Sequence, residues 1–312
     1  VVATLSKIVA IIPAYNEEKT VGSVIRETKR YVDKVIVIND GSTDGTEKIA
    51  RKSGADIYSH PVRMGLGPTI LDGYREALRL DADIILQIDA DGQYLPKEIP
   101  KLLEPIHDNQ ADMVLGSRFS GTIEDMPFVK RMGNKTFSKI TGFLSGTRIT
   151  DAQTGFRVMR KELVENIIPT GRYTYTQEMI IRASKEGYRI MEVPIYFAKR
   201  PHGKSRLIGN VFSYGSNSLS IMIKTFREYH PMKFFGIPGI IFIIAGVWLG
   251  FEIGVVYLST GVMNRAGTAT FSALLIITGV LLIFIGLLAD MTESKYRQIR
   301  EHFRRMDAKL SR

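Results

Sequence analysis

Two long apolar runs near the C-terminus constrain this chain more than anything else in it. FFGIPGIIFIIAGVWLGFEIGVVYL extends from Phe234 to Leu258, and ATFSALLIITGVLLIFIGLLAD from Ala269 to Asp290. Each supplies the roughly 20 apolar residues that a bilayer-spanning helix requires. A buried helix of a soluble protein ordinarily keeps a polar side. Here the only charge in the first run is Glu252, near its far end, a position that suits snorkelling to the interface better than a paired intramembrane carboxylate. The connector STGVMNRAGT carries one basic residue, Arg265. The outer flanks carry many: Lys224, Arg227 and Lys233 before the first run, then Lys295, Arg297, Arg300, Arg304 and Arg305 after the second. The positive-inside rule puts both flanks in the cytoplasm. We therefore expect an integral membrane protein with a hairpin anchor and both termini on the cytoplasmic side.

The rest of the chain reads differently. Up to about Tyr229 it is mixed, soluble sequence, and 312 residues allow about two domains. Net charge is +10, which points to an anionic partner: nucleic acid, acidic lipid or a phosphorylated substrate. The chain has no Cys, so disulfides, thiolate catalysis and Cys-ligated metals are excluded. Its five His residues form no local metal-ligand spacing. The opening VVATLSKIVAIIPAYNEE lacks the basic head of a signal peptide and reads directly into a strand.

Strands alternate with helices from there on. KIVAIIPA, KVIVIND, ADIYSH, DIILQID and DMVLGSRF read as strands, with helical patterns between them. That alternation implies crossovers and a mostly parallel sheet, in which ligands bind outside the carboxyl ends of the strands. The strand ends carry suitable chemistry: PAYNEE, NDGSTDGT, DADGQ and GSRF. Pro13 and Tyr15 suit the wall of a flat base, and Glu17 and Asp40 suit hydrogen bonds from base or ribose, although Asp40-Gly41-Ser42 is equally a turn with a helix cap. Asp89, Asp91 and Gln93 alternate along one segment, so all three oxygens can face one site. Hard oxygens without His or Cys suit Mg²⁺ or Mn²⁺, with substrate phosphates filling the other positions. A bare D-x-D is also what a turn would use. No P-loop pattern occurs, and GLGPTILDG does not fit G-x-G-x-x-G.

Taken in order, PAYNEE, NDGSTDGT, DADGQ, GSRF, DAQTGFR, QEM and KRPHGKSRL resemble the family 2 glycosyltransferases, and more narrowly the dolichyl-phosphate mannose synthases, over roughly residues 7 to 210. The resemblance implies a GT-A fold (α/β, a Rossmann-like, mostly parallel sheet) over residues 1–204, followed by an interfacial helix region at 205–230 and the membrane anchor at 231–312. It implies a divalent metal, Mn²⁺ or Mg²⁺, and inverting transfer of mannose from GDP-mannose to dolichyl or another polyprenyl phosphate. By the same resemblance, Pro13, Tyr15, Glu17, Ile38 and Asp40 contact the donor nucleotide, and Asp89, Ala90, Asp91 and Gln93 match the motif that holds metal and diphosphate. Arg118, Arg200 and Arg206 match donor contacts that stabilise the leaving group, with Asp91 and these three arginines carrying the chemistry. Ser117, Arg131, Asn134 and Lys135 resemble the polar side of the acceptor-phosphate site.

Two departures agree with a phosphate acceptor. Relatives with sugar acceptors carry an aspartate in an ED motif where this chain reads YTQEM, with Gln177 and Glu178, and the processive motif Q-x-x-R-W is absent, since the only Trp is Trp248. A phosphomonoester is already ionised near neutral pH and needs no strong base. Asp151, Gln153 and Arg157 orient sugar or acceptor, or pair structurally beneath the sheet. Phe128 to Leu144 reads as a basic amphipathic helix, with Phe128, Val129, Met132, Ile140, Phe143 and Leu144 on one face and Lys130, Arg131 and Lys135 on the other. A second apolar stripe runs from Leu207 to Phe226. Each stripe suits a membrane surface or the protein's own core. The competing readings are a polyprenyl-phosphate glucose synthase using UDP-glucose, a non-catalytic membrane scaffold on a transferase fold, and a nucleic-acid binder. The last is disfavoured because the basic residues lie beside apolar faces, so a lipid bilayer and no nucleic acid is the expected partner.

Overall fold

A computed structural model of the chain describes residues 6–167, 175–202, 223, 226–227, 230–261 and 266–310. The chain divides into two compact units, Val1–Leu219 and Ser220–Arg312. Arg206, the expected 204/205 boundary and most of the 205–230 stripe lie outside the described residues.

The first unit is built on a seven-stranded sheet. Strand β1 is Ile8–Ala14, β2 Lys34–Asn39, β3 Asp56–Ser59, β4 Ile84–Gln87, β5 Met113–Ile123, β6 Arg157–Arg160 and β7 Ile190–Phe197. Their spatial order is β3-β2-β1-β4-β6-β5-β7. All neighbours pair in parallel except β6, which runs antiparallel to both β4 and β5. The expected mostly parallel α/β sheet is therefore the one found.

The central strands are buried on both faces, which is why they read as continuous β-branched runs. Side chains alternate across the sheet. Ala10, Ile12, Val35, Val37 and Leu86 face helices α1 (Val21–Thr28) and, beyond a single 3₁₀ turn, α4 (Ile99–His107). Val9, Ile11, Ile36, Ile38 and Ile85 face the opposite layer, where Ile70, Tyr74 and Ala77 of α3 (Leu66–Arg79) pack. Helix α2 (Thr46–Lys52) lies between β2 and β3, and α6 (Lys161–Asn166) and α7 (Tyr175–Lys185) lie between β6 and β7.

Helix α5, Phe128–Ser145, has the expected extent but sorts its residues differently. Phe128, Met132 and Phe143 are exposed, at 73%, 55% and 72%, while Leu144 is buried. The face turned to the protein is polar: Asn134, Ser138, Thr141 and Ser145 are all buried. Thr141 and Ser145 satisfy themselves on helix carbonyls, and Ser138 Oγ accepts the Ala152 amide at 3.0 Å. The apolar side of α5 thus faces outward.

The second unit contains α8, Pro231–Thr260, and α9, Ala266–Leu310. Two helices here, Pro231–Thr260 and Ala266–Thr292, are long and apolar enough to cross a membrane. Trp248, Phe251, Leu258 and Phe284 stand bare on their outer faces, where a soluble core helix would bury them. The two backbones touch. Ser272 Oγ donates to the Gly246 carbonyl at 2.7 Å, and a Cβ on Gly239 would lie 2.8 Å from the Gly279 carbonyl oxygen.

Candidate active site

The parallel register sets Ala14 beside Asn39, so β1 and β2 end together, and Ile11 beside Gln87, so β4 ends three residues short of them and its following segment runs on to the same edge. One cavity opens at that edge. Pro13, Ala14, Tyr15, Glu17, Asp40, Arg63, Leu66 and Thr69 line one end. Asp89, Ala90, Asp91, Gln93, Tyr94 and Arg200 line the middle, and Arg118, Lys130, Asn134, Gln153, Tyr175, Thr176 and Phe197 the rest.

The first strand-end loops are laced to each other. Asn16, at φ 52°, turns the chain after β1, and its Oδ1 accepts the Thr43 amide at 2.7 Å. Glu17 N donates to Thr46 Oγ1 at 2.8 Å, and Glu18 Oε2 accepts the Gly45 amide at 2.8 Å. Much of NDGSTDGT is thereby spent on holding PAYNEE in place. Asp40 accepts the Met64 and Gly65 amides at 2.7 and 2.9 Å, which brings the segment after β3 over the cleft. Arg63 in that segment sits 4.3 Å over the Tyr15 ring.

The acids follow β4. Asp91 Oδ1 accepts the Gln93 amide at 3.1 Å across Gly92, whose φ of 75° makes the turn. Gln93 Nε2 donates to the Ala198 carbonyl at 3.2 Å, which fixes the amide plane. Asp89 is packed against Gly155 so closely that a Cβ there would lie 2.4 Å from its Oδ2. Burial, and then the charge of Asp91, pushes the Asp89 carboxyl above the usual carboxylate range. Burial raises Asp91 too, against the Gln93 amide and the cations Arg200 and Lys130.

No described group of three or more His, Cys, Asp or Glu side chains is placed to hold a metal. Two carboxylates in a confined cleft, strained toward protonation, nevertheless fit a hard divalent cation that takes its other ligands from substrate phosphate and water. Arg200 stands at that place: its guanidinium pairs with Glu17, and its Nη1 lies 3.5 Å from Asp91 Oδ2.

Arg118 is buried and forked onto Asp151, with Nε–Oδ2 2.6 Å and Nη2–Oδ1 2.8 Å. Asp151 is therefore the group that aims Arg118. Arg157 is fully buried beside the Tyr175 ring and donates to the Thr154 carbonyl, bracing the loop that ends in Gly155. Gln177 and Glu178 are buried outside the lining, and Glu178 pairs with Arg182 at 2.9 Å. The helix turns Tyr175 and Thr176 into the cleft instead.

Of the residues expected from sequence, Pro13, Tyr15, Glu17, Asp40, Asp89, Ala90, Asp91, Gln93, Arg118, Asn134 and Arg200 share this cavity. Four do not line it. The Ile38 side chain is in the core beneath α3. Ser117 is fully buried, 2.7 Å from the Thr150 hydroxyl. Arg131 is exposed, and Lys135 is exposed with its ammonium 5.7 Å from the Phe119 ring. Lys130, expected only as part of the basic face with Arg131 and Lys135, is the α5 cation that enters the cleft. Burial, and next the charge of Arg118, lowers its pKa, while Asp91 works the other way. Lys130 and Asn134 are four apart and so share a helix face, a spacing visible in the sequence.

The chain belongs to the glycosyl transferase family 2, whose model matches residues 9–168. It is 34% identical over 208 residues to the UDP-N-acetylglucosamine–dolichyl-phosphate N-acetylglucosaminyltransferase of Methanococcus voltae, covering 59% of this chain and 83% of that one. It is 31% identical over 214 residues to the polyprenol monophosphomannose synthase of Mycolicibacterium smegmatis, covering 64% and 80%. The fold matches glucosyl-3-phosphoglycerate synthase from Mycobacterium tuberculosis, solved with Mn²⁺, UDP-glucose and phosphoglyceric acid, with a TM-score of 0.55 and 22% identity over 71% of this chain and 79% of that one. The architecture is thus GT-A, with two apolar C-terminal helices suited to a hairpin.

Proposed function

We propose that this protein transfers a hexose from a nucleoside-diphosphate sugar to a polyprenyl phosphate, with inversion, at the cytoplasmic face of a membrane. One observation carries the acceptor assignment. Helix α5 turns Lys130 and Asn134 into the cleft and leaves Phe128, Met132 and Phe143 bare on its outside. A single helix therefore offers a cation to an anionic head and an apolar surface to the chain attached to it.

At the donor end, Tyr15 and Pro13 wall the base, and Asp40 and Glu17 stand where hydroxyls and ring N–H groups need acceptors. A divalent cation held by Asp89 and Asp91, with Gln93 beside them, would neutralise charge on the departing diphosphate. Arg118, locked by Asp151, adds fixed positive charge that needs no reorganisation. Arg200 exchanges Glu17 and Asp91 for diphosphate oxygens, and Arg206, outside the described residues, is the further diphosphate contact that the sequence resemblance gives. Lys130 and Asn134 place the acceptor phosphate against the anomeric carbon, with Arg131, Lys135 and Ser117 as further contacts. The phosphate oxygen is ionised already, so no side chain has to remove its proton. Pairing of Glu178 with Arg182 supports a site without a carboxylate base there.

Mannose from GDP-mannose is the donor the sequence resemblance favours, and the mycobacterial relative is named for phosphomannose. The methanococcal relative is named for UDP-N-acetylglucosamine, so the sugar is decided by assay. Purified protein is given labelled GDP-mannose, UDP-glucose or UDP-N-acetylglucosamine with polyprenyl phosphate, with and without Mn²⁺. One donor should label the lipid only with metal present. Label from none of them, or metal-independent label, would reject the proposal.

A further inference from the structure

His60 takes no part in the chemistry above, yet it is only 5% exposed. Its Nδ1 lies 3.0 Å from Asp40 Oδ1 and its Nε2 3.1 Å from Asp72 Oδ2. Both neighbours are carboxylates, which only accept hydrogen bonds when ionised. A neutral imidazole owns one N–H and satisfies one of them; an imidazolium satisfies both. The charged and titratable groups facing the ring are few. Asp40 comes from the end of β2, Asp72 from α3 with Arg75 on its other oxygen at 2.8 Å, and the Tyr58 ring from β3 at 5.7 Å, edge-on. The His60 amide donates to the Asn39 carbonyl at 2.9 Å, so sheet register fixes where the side chain starts.

Asp40 passes this constraint on. The same carboxylate that meets His60 holds the Met64 and Gly65 amides. The chain just before them crosses Gly41 so tightly that a Cβ there would lie 2.8 Å from Arg63 N. Arg63 then covers Tyr15 at the base-binding end of the cleft. We propose that His60, bridging Asp72 and Asp40 through its two ring nitrogens, is a positioning residue for the nucleoside end of the donor site. It acts through Asp40 on the segment that carries Arg63. The ligand in this statement rests on the donor reading above; the bridge itself does not.

The test uses the full chain in detergent, with His60→Gln and Asp72→Asn. His60→Gln supplies no charge and cannot serve both carboxylates equally. Loss of one charge-assisted hydrogen bond corresponds to about a tenfold effect. Amide exchange at Met64 and Gly65 should quicken by about that factor while the central strands stay protected. The donor KM, measured with whichever of GDP-mannose, UDP-glucose and UDP-N-acetylglucosamine the wild type uses, should rise similarly, and kcat and the polyprenyl-phosphate KM should hold within about twofold. Asp72→Asn presents an N–H to a neutral Nε2, so it rebuilds the bridge without the second proton. Asp72→Asn should therefore keep the two amides protected and the donor KM within about twofold of wild type.

Unchanged exchange and donor KM in a folded His60→Gln protein would overturn the proposal. So would equal shifts in kcat and both KM values, or an Asp72→Asn protein that frees the two amides as His60→Gln does. Should His60→Gln fail to fold, Asp72→Ala, which removes one end of the bridge, decides by the same exchange and KM readouts. Should none of the three nucleotide sugars bind the wild type while His60→Gln still frees the two amides, the donor reading falls and the bridge stands.

Discussion

Gly155→Ala tests the acid pair without altering any charge. Gly155 does not adopt a left-handed backbone, so alanine is permitted there by conformation. The obstacle is Asp89: the new Cβ would lie 2.4 Å from Oδ2, 2.7 Å from Oδ1 and 2.8 Å from Cγ. Ordinary contact begins near 3.4 Å, so the carboxylate must retreat by about 1 Å. It has little room, because Tyr94 clamps the loop through the Gly155 amide at 2.9 Å and packs on Phe156 and Phe197. Overpacking of this kind costs about 1–3 kcal/mol, a Tm loss of roughly 2–12 °C for a unit of this size. The functional loss should be larger. A shift of about 1 Å in a positioned group costs about 100-fold in turnover, and disturbed support of a metal ligand about 10–100-fold in metal affinity. The assay is Mn²⁺ titration of lipid labelling, well below the variant's Tm. The half-saturating Mn²⁺ should rise while the donor KM at saturating metal moves much less. An unchanged Mn²⁺ requirement with turnover intact would refute the claim that Asp89 is held against Gly155 to bind the cation.

Further expectations can be checked separately. Lys130→Ala should raise the KM for polyprenyl phosphate about tenfold or more, the scale of a lost charge-assisted contact, and Arg131→Ala should do markedly less; the reverse order would return the acceptor site to Arg131. Tyr94→Phe leaves the buried Gly155 amide without its acceptor and should cost about 1–3 kcal/mol by chemical denaturation; a neutral result would mean water replaces the hydroxyl. Asp89 and Asp91 titrate above their unfolded values because burial, and for Asp89 the neighbouring acid, opposes ionisation, so the native state binds more protons than the unfolded chain. Metal-free protein should therefore lose stability as pH rises from the ordinary carboxylate range through the raised folded values, and Mn²⁺ should remove that slope; Tm measured against pH with chelator or Mn²⁺ reads it, and identical slopes would contradict the pairing of these acids with a cation. Single cysteines placed at 262–265 should react with an impermeant reagent from outside intact cells, and cysteines near residue 300 should not; the opposite pattern would invert the hairpin.

Much of the fold is written in the sequence because its central strands are buried on both faces and must be apolar throughout. The acids after β4 stood out for the same reason: DIILQI reads as a buried strand, and its carboxyl end gives weight to a D-x-D that a turn alone would also use. β6 and β7 were not read as strands, and the direction of β6 was not legible, since four residues of an antiparallel strand look like four of a parallel one. Lys130 was missed because adjacent residues on a helix point about 100° apart, so a one-residue choice moves a charge from cleft to solvent. Ser117 was expected at the acceptor phosphate and Arg118 at the donor, yet neighbours on a strand point to opposite faces, and only Arg118 reaches the cavity. Ile38 failed by the same alternation. Arg63 carries no motif of its own. Its place depends on a loop crossing Gly41, and that contact exists only once β2 and β3 are paired.

The pairing of Arg200 with Glu17 and Asp91 bears on the whole turnover cycle. An empty acidic cleft would otherwise repel the diphosphate it has to admit. On the proposed reading, Arg200 offsets part of that acid charge, and a metal-bound diphosphate would take its place at Glu17 and Asp91 instead of meeting bare carboxylates. The same arginine would compete for those carboxylates once the nucleotide left, so that one side chain would serve both entry and release.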